Sequence, residues 1–132
     1  MKILSIRQPW AALIARGIKN VENRSWRTRY RGPVLIHASL QSSATSLDEI
    51  ARRLGVELPA LDLQRGGVVG ATNIVDCVSS HTSPWYEGKF GFILDGSRSM
   101  PFFPWKGALG LRDVPAGLLV EIVSSGGDLT VV

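Results

Sequence analysis

The segment Gly17-Ile18-Lys19-Asn20-Val21-Glu22-Asn23-Arg24-Ser25-Trp26-Arg27-Thr28 gathers a lysine, a glutamate, two arginines, asparagines and an indole into twelve residues. Structural segments repeat their apolar residues at a fixed period. Here Val21 and Trp26 are the only large apolar side chains after Ile18. A short apolar run ends at Gly17, and the chain turns apolar again at Val34-Leu35-Ile36-His37-Ala38. A dense polar connection held between two core elements is where binding and catalytic groups are usually placed. Asn20 and the β-branched Val21 disfavour helix. On a strand, period two puts Glu22 and Arg24 on one face and Val21 on the other. The competing description is a solvated face, with ion pairs worth about 0–1 kcal/mol each.

Upstream, Ile3, Leu4 and Ile6 read as a first strand. Pro9 suits the opening of a helix, because its missing N–H would be unpaired there anyway. Trp10, Leu13 and Ile14 then fall at i, i+3 and i+4, which places Trp10 in the core. Gly17 ends that helix. Downstream, Val34–Ala38 is a buried strand, and Ser46-x-x-Glu49 is a capping box before Leu47, Ile50 and Leu54 at helical spacing. Val68–Val78 is the longest strand candidate, and Gly70 inside it marks a bulge or a close backbone approach. Lys89–Asp95 reads as a strand that turns at Asp95-Gly96-Ser97. Trp85-Tyr86 anchors the loop before it, and Leu109-Gly110-Leu111 closes the sheet. A short helix is expected over Pro115–Val123. Residues 1–123 read as one domain, with 124–132 a frayed tail. Many short strands between turn signals, with two or three helices, give an α+β chain built on a small β-barrel.

Composition narrows the function. The 45% apolar content is that of a globular protein, and no apolar run approaches the ~20 residues of a membrane helix. The single cysteine, Cys77, forms no internal disulfide and fits a reducing, cytoplasmic compartment. Two isolated histidines, His37 and His81, make no metal-ligand spacing, and no cofactor motif is present, so neither metal nor cofactor is expected. Charge is unevenly spread. Residues 1–31 hold eight basic side chains and one acid, against seven basic and ten acidic in the remainder. Such asymmetry points to an anionic partner. Arginine dominates, and its planar fork binds phosphate and stacks on bases.

Gly17-x-Lys19-x-x-Glu22-x-Arg24 resembles the signature of ASCH domains, the activating signal cointegrator 1 homology region, which are similar to PUA domains. The resemblance extends through Gln8-Pro9-Trp10, Arg31-Gly32, Ile36-His37-Ala38 and Pro104-Trp105-Lys106-Gly107. It implies a small PUA-like β-barrel whose cleft is lined by the signature and receives a nucleotide or an extruded base. The partner expected is nucleic acid, RNA or a single strand. Lys19, Glu22 and Arg24 would read the base edge, and Trp26 or Trp105 would supply a stacking face. Arg27, Arg29, Arg31 and Lys106 complete the binding set.

Two other functions follow from the same resemblance. Some small relatives look like amidohydrolases acting on a modified nucleoside, acetylated cytidine, and a ribonuclease activity is associated with the family. Lys19, with Glu22, would then be catalytic, as a lysine whose pKa is lowered enough to act as a base. The threonine that such amidohydrolases carry three residues after the lysine is Glu22 here. A protein-interaction module in transcriptional coregulation is the remaining alternative. His37 reads as a hydrogen-bonded core or rim residue, and Cys77 as an inert thiol.

Overall fold

The computed structural model describes residues 1–127. Six strands form one sheet in the order β2-β5-β4-β3-β1-β6, curled into a half-barrel. They are β1 (Lys2–Ile6), β2 (Val21–Arg24), β3 (Gly32–Ala38), β4 (Gly67–Val78), β5 (Phe90–Pro104) and β6 (Leu111–Asp113). The helices are α1 (Trp10–Ala15), α2 (Leu47–Leu54) and α3 (Ala116–Ser124). The result is the expected small α+β, PUA-like architecture.

The alternation along β3 explains the layering. Val34 and Ile36 point to one side, where they meet Leu4, Ile74, Phe92 and the α1 residues Ala11, Ile14 and Ala15. Leu35 points to the other, against Val68, Ala71, Met100 and the α3 residues Leu118 and Ile122. Burying one such aliphatic side chain contributes about 1.5–3 kcal/mol. β3 pairs in parallel with β1 and antiparallel with β4. The parallel pairing sets Ser5 opposite His37.

The local signals behave as their chemistry dictates. Gly17 ends α1 with φ +73°. Ser46 caps α2 by accepting from the Glu49 N–H at 3.1 Å, although the Glu49 carboxylate turns to Arg53. Gly70 sits at a register shift between β4 and β5, where a Cβ would lie 2.4 Å from the Arg98 carbonyl oxygen.

One expectation is corrected. The chain does not turn at Asp95-Gly96-Ser97. β5 continues through it, because the twelve-residue β4 keeps pairing across it through successive register shifts. Gly96 takes φ +67° and donates its N–H to Asp95 Oδ1. Helix α3 runs one residue into the span read as the tail. Ser124 is the last helical residue of α3, and Gly127 N–H still bonds the Ile122 carbonyl at 2.9 Å. Buried Leu118 and Ile122 hold that helix to the sheet. The rest of the predicted tail, 128–132, lies outside the described residues.

Candidate nucleic-acid cleft

β2 is an edge strand pairing only with β5 among the described residues, Val21 opposite Ile93 and Glu22 opposite Phe92. Val21 is fully buried, while Glu22 and Arg24 share the opposite face. Lys19, just before the strand, is 4% exposed and Glu22 6%. Two ionisable groups buried this deeply need partners. Lys19 Nζ donates to the Val21 carbonyl and lies 3.6 Å from Glu22 Oε1. Arg24 reaches Glu22 Oε2 from the other side, through Nε at 3.0 Å and Nη2 at 2.8 Å. The same Nη2 also donates to the Ser5 carbonyl at 2.9 Å, which ties the guanidinium to β1.

One carboxylate thus stands between two cations, and the cluster carries a net positive charge. Burial pushes the Lys19 ammonium below its ordinary pKa, and Glu22, acting as counter-charge, restrains that fall. Aromatic faces flank the cations. Lys19 Nζ lies 5.6 Å from the Trp10 ring centroid, and the Arg24 guanidinium 5.9 Å from that of Trp26. Trp26 packs edge-on against Phe92, with centroids 5.2 Å apart.

These groups line a cleft of about 1240 Å³. It exceeds the ~300–1,000 Å³ of an ordinary small-molecule pocket. One wall is the 84–87 loop, anchored to β2 by Asn23, which donates to the Trp85 carbonyl at 2.8 Å and accepts from the Glu87 N–H at 2.9 Å. Another part of the lining carries Trp105 and Lys106. It is tied down by His37, whose Nε2 lies 2.7 Å from the Trp105 carbonyl oxygen and must therefore bear the proton. His37 Nδ1 then accepts from the Ser5 hydroxyl at 3.0 Å.

The cleft brings together Lys19, Glu22, Arg24, Trp26, Trp105 and Lys106. It does not bring in Arg27, Arg29 or Arg31, which are exposed outside it. Arg27 lies over the Phe90 ring at 5.0 Å. Arg31 donates to the Thr28 and Tyr30 carbonyls and faces Asp76 at 3.7 Å.

Trp10 packs against the core beside α1, as its helical spacing with Leu13 and Ile14 predicts. It is only partly buried, and it also lines the cleft, which the spacing does not announce. Sequence reasoning also left out Trp85, and it read His37 without its partner Ser5. The indole of Trp85 carries no signal of its own, because its place in the cleft follows from the contacts its loop makes with Asn20 and Asn23.

The ASCH domain model matches residues 4–98, and the chain belongs to the ASCH-domain family. It is similar to activating signal cointegrator 1 of Homo sapiens, at 39% identity over 79% of this chain and 20% of that protein. The same protein of Mus musculus matches at 34% identity over the same shares. The chain spans about a fifth of the length of these relatives. A crystal structure of a mutant ZmASCH protein from Zymomonas mobilis superposes with a TM-score of 0.57 at 14% identity, covering 93% of this chain and 96% of the other. That likeness is one of fold.

Proposed function

We propose that the cleft binds nucleic acid, RNA above all, by admitting a nucleotide or an extruded base between its tryptophans. One observation carries the reading. All four tryptophans of the chain line the same cleft as the buried Lys19–Glu22–Arg24 cluster. A base needs hydrogen-bonding groups at its edge and an aromatic face against its plane. Stacking contributes about 1–3 kcal/mol per base. The ammonium has three N–H donors; the Val21 carbonyl takes one and Glu22 stands as ion-pair partner at 3.6 Å, so donor capacity remains for a ligand atom. Phosphates flanking the nucleotide would meet Arg7, Arg53 and Lys106 on the rim. Titrating RNA oligomers into the protein should quench tryptophan emission saturably, with affinity falling as salt rises. No quenching and no binding at low salt would remove this reading.

A hydrolase is the second reading, and the lowered proton affinity of Lys19 favours it. A lysine that holds its proton less tightly is better suited to act as a general base. The hydroxyl that related amidohydrolases place three residues on is replaced by Glu22, and the Ser5 hydroxyl in the cleft is bonded to His37. Incubation with acylated nucleosides and RNA, followed by chromatography, tests it. Turnover in the wild type that disappears in Lys19→Ala supports a base; equal turnover in both excludes Lys19.

A further inference from the structure

Two of the most exposed large apolar side chains among the described residues stand at the mouth of this cleft. Leu109 is 88% exposed and Leu40 73%. A single exposed leucine is ordinary. These two share a construction that is not. Leu40 lies between β3 and α2, and its carbonyl accepts from Arg65 Nη1 at 2.8 Å. Leu109 lies between β5 and β6, and its carbonyl accepts from Arg112 Nε, also at 2.8 Å. Each leucine is therefore held out on a backbone gripped at that same residue by an exposed arginine.

The two loops are also stitched together. Gly66 donates its N–H to the Ala38 carbonyl at 2.7 Å and accepts from the Trp105 N–H at 3.1 Å. Gly66 has φ +81°, and a Cβ there would come within 2.8 Å of Leu40 Cδ2. Gly107 passes so close to Ser5 and His37 that a Cβ would lie 2.6–2.9 Å from their side chains. Ala108 N–H reaches Ser5 Oγ at 3.3 Å. The loops are fixed at their roots, and the leucine side chains are what they present.

We infer that Leu40 and Leu109 are wedges, and that the ligand is a base-paired stretch of nucleic acid from which one base is extruded into the cleft. This rests on the reading of the cleft as a nucleotide site. Extruding a base leaves a gap in the stack, and proteins that deform helices fill such gaps with apolar side chains. A guanidinium carries five N–H donors. Arg65 and Arg112 each direct one at a leucine carbonyl and keep others for the phosphates on either side of the gap.

The test uses an RNA hairpin with 2-aminopurine in its stem and an unpaired strand of the same sequence. Wild type should raise the 2-aminopurine emission of the stem as the base leaves the stack. Leu40→Ala with Leu109→Ala should weaken stem binding about tenfold and abolish the emission change, while unpaired-strand affinity stays within about twofold. Leu109→Met in the Leu40 wild-type background should keep both signals. Equal losses on stem and strand, or no loss on the stem, would overturn the wedge and leave the cleft reading standing. Failure of both probes to bind wild type would overturn both.

Discussion

Two basic stretches lie within a dozen residues of each other and behave oppositely. Lys19 and Arg24 are drawn against Glu22 and line the cleft, while Arg27, Arg29 and Arg31 stand in solvent outside it. The residue types are the same. The difference is that β2 pairs with β5, which turns Glu22 and Arg24 toward the cleft, whereas 25–31 belongs to no strand. Charge in a sequence marks an anionic partner, but pairing decides which cations become a site and which remain a field.

The sharpest way to break this comparison is to remove the carboxylate. Glu22→Ala leaves two cations without their buried counter-charge and should cost about 3 kcal/mol of stability, read by urea denaturation. A loss below about 1 kcal/mol would put the cluster on the same footing as the surface arginines.

Glu22→Gln keeps the shape and removes the charge. If Glu22 organises the cations, affinity for RNA at one fixed salt concentration should fall about tenfold, the scale of a positioned charged hydrogen bond. A repulsive bystander would instead bind more tightly once neutralised, so a gain in affinity would make this stretch a plain basic surface.

Lys19 gives the comparison a pH signature. Its folded-state pKa lies below the ordinary 10.5, so the unfolded chain binds the extra proton between the two values. The penalty of burying the charged lysine is complete below the folded-state pKa. It disappears as pH rises toward 10.5. Wild-type stability relative to Lys19→Met should therefore climb through that alkaline window, as urea midpoints at stepped pH would show. A flat difference would mean that the ammonium is not buried.

Replacing Arg27, Arg29 and Arg31 together by Ala should flatten the dependence of RNA affinity on salt, by about 0.7 in log–log slope for each phosphate these arginines neutralise. The fold and the tryptophan quenching should survive, since these side chains do not line the cleft. An unchanged slope would show that the outer stretch neutralises no phosphate. The smallest effect belongs to Asp76→Ala, which removes the 3.7 Å surface partner of Arg31 and should cost less than about 1 kcal/mol.

Much of the fold was legible because its signals are local. Glycine at a helix end, serine at an N-cap and β-branched runs act through their own backbone, and α1, α2 and β3 follow from them. β5 was legible only in its first half. Its continuation past Asp95 is imposed by pairing with β4, whose shifts no neighbour in sequence announces. In the cleft, Lys19, Glu22 and Arg24 were visible as a spacing. Trp10 packs on the core as its spacing predicts, but helical periodicity does not report that it also borders a cleft built from other segments. His37 and Ser5, thirty-two residues apart, meet only because β1 and β3 run in parallel.

The sequence alone determined α1, α2 and β3, the excess of cations in the first 31 residues and the spacing that sets Glu22 and Arg24 on one face. These are properties of neighbouring residues and of composition, fixed before the chain closes. The tertiary structure decided which cations share a carboxylate, that four tryptophans from separate segments line one cleft, and that Leu40 and Leu109 stand at its mouth. Each of these depends on contacts between residues far apart in the chain. Such contacts are set by strand order and register, which a local pattern does not carry.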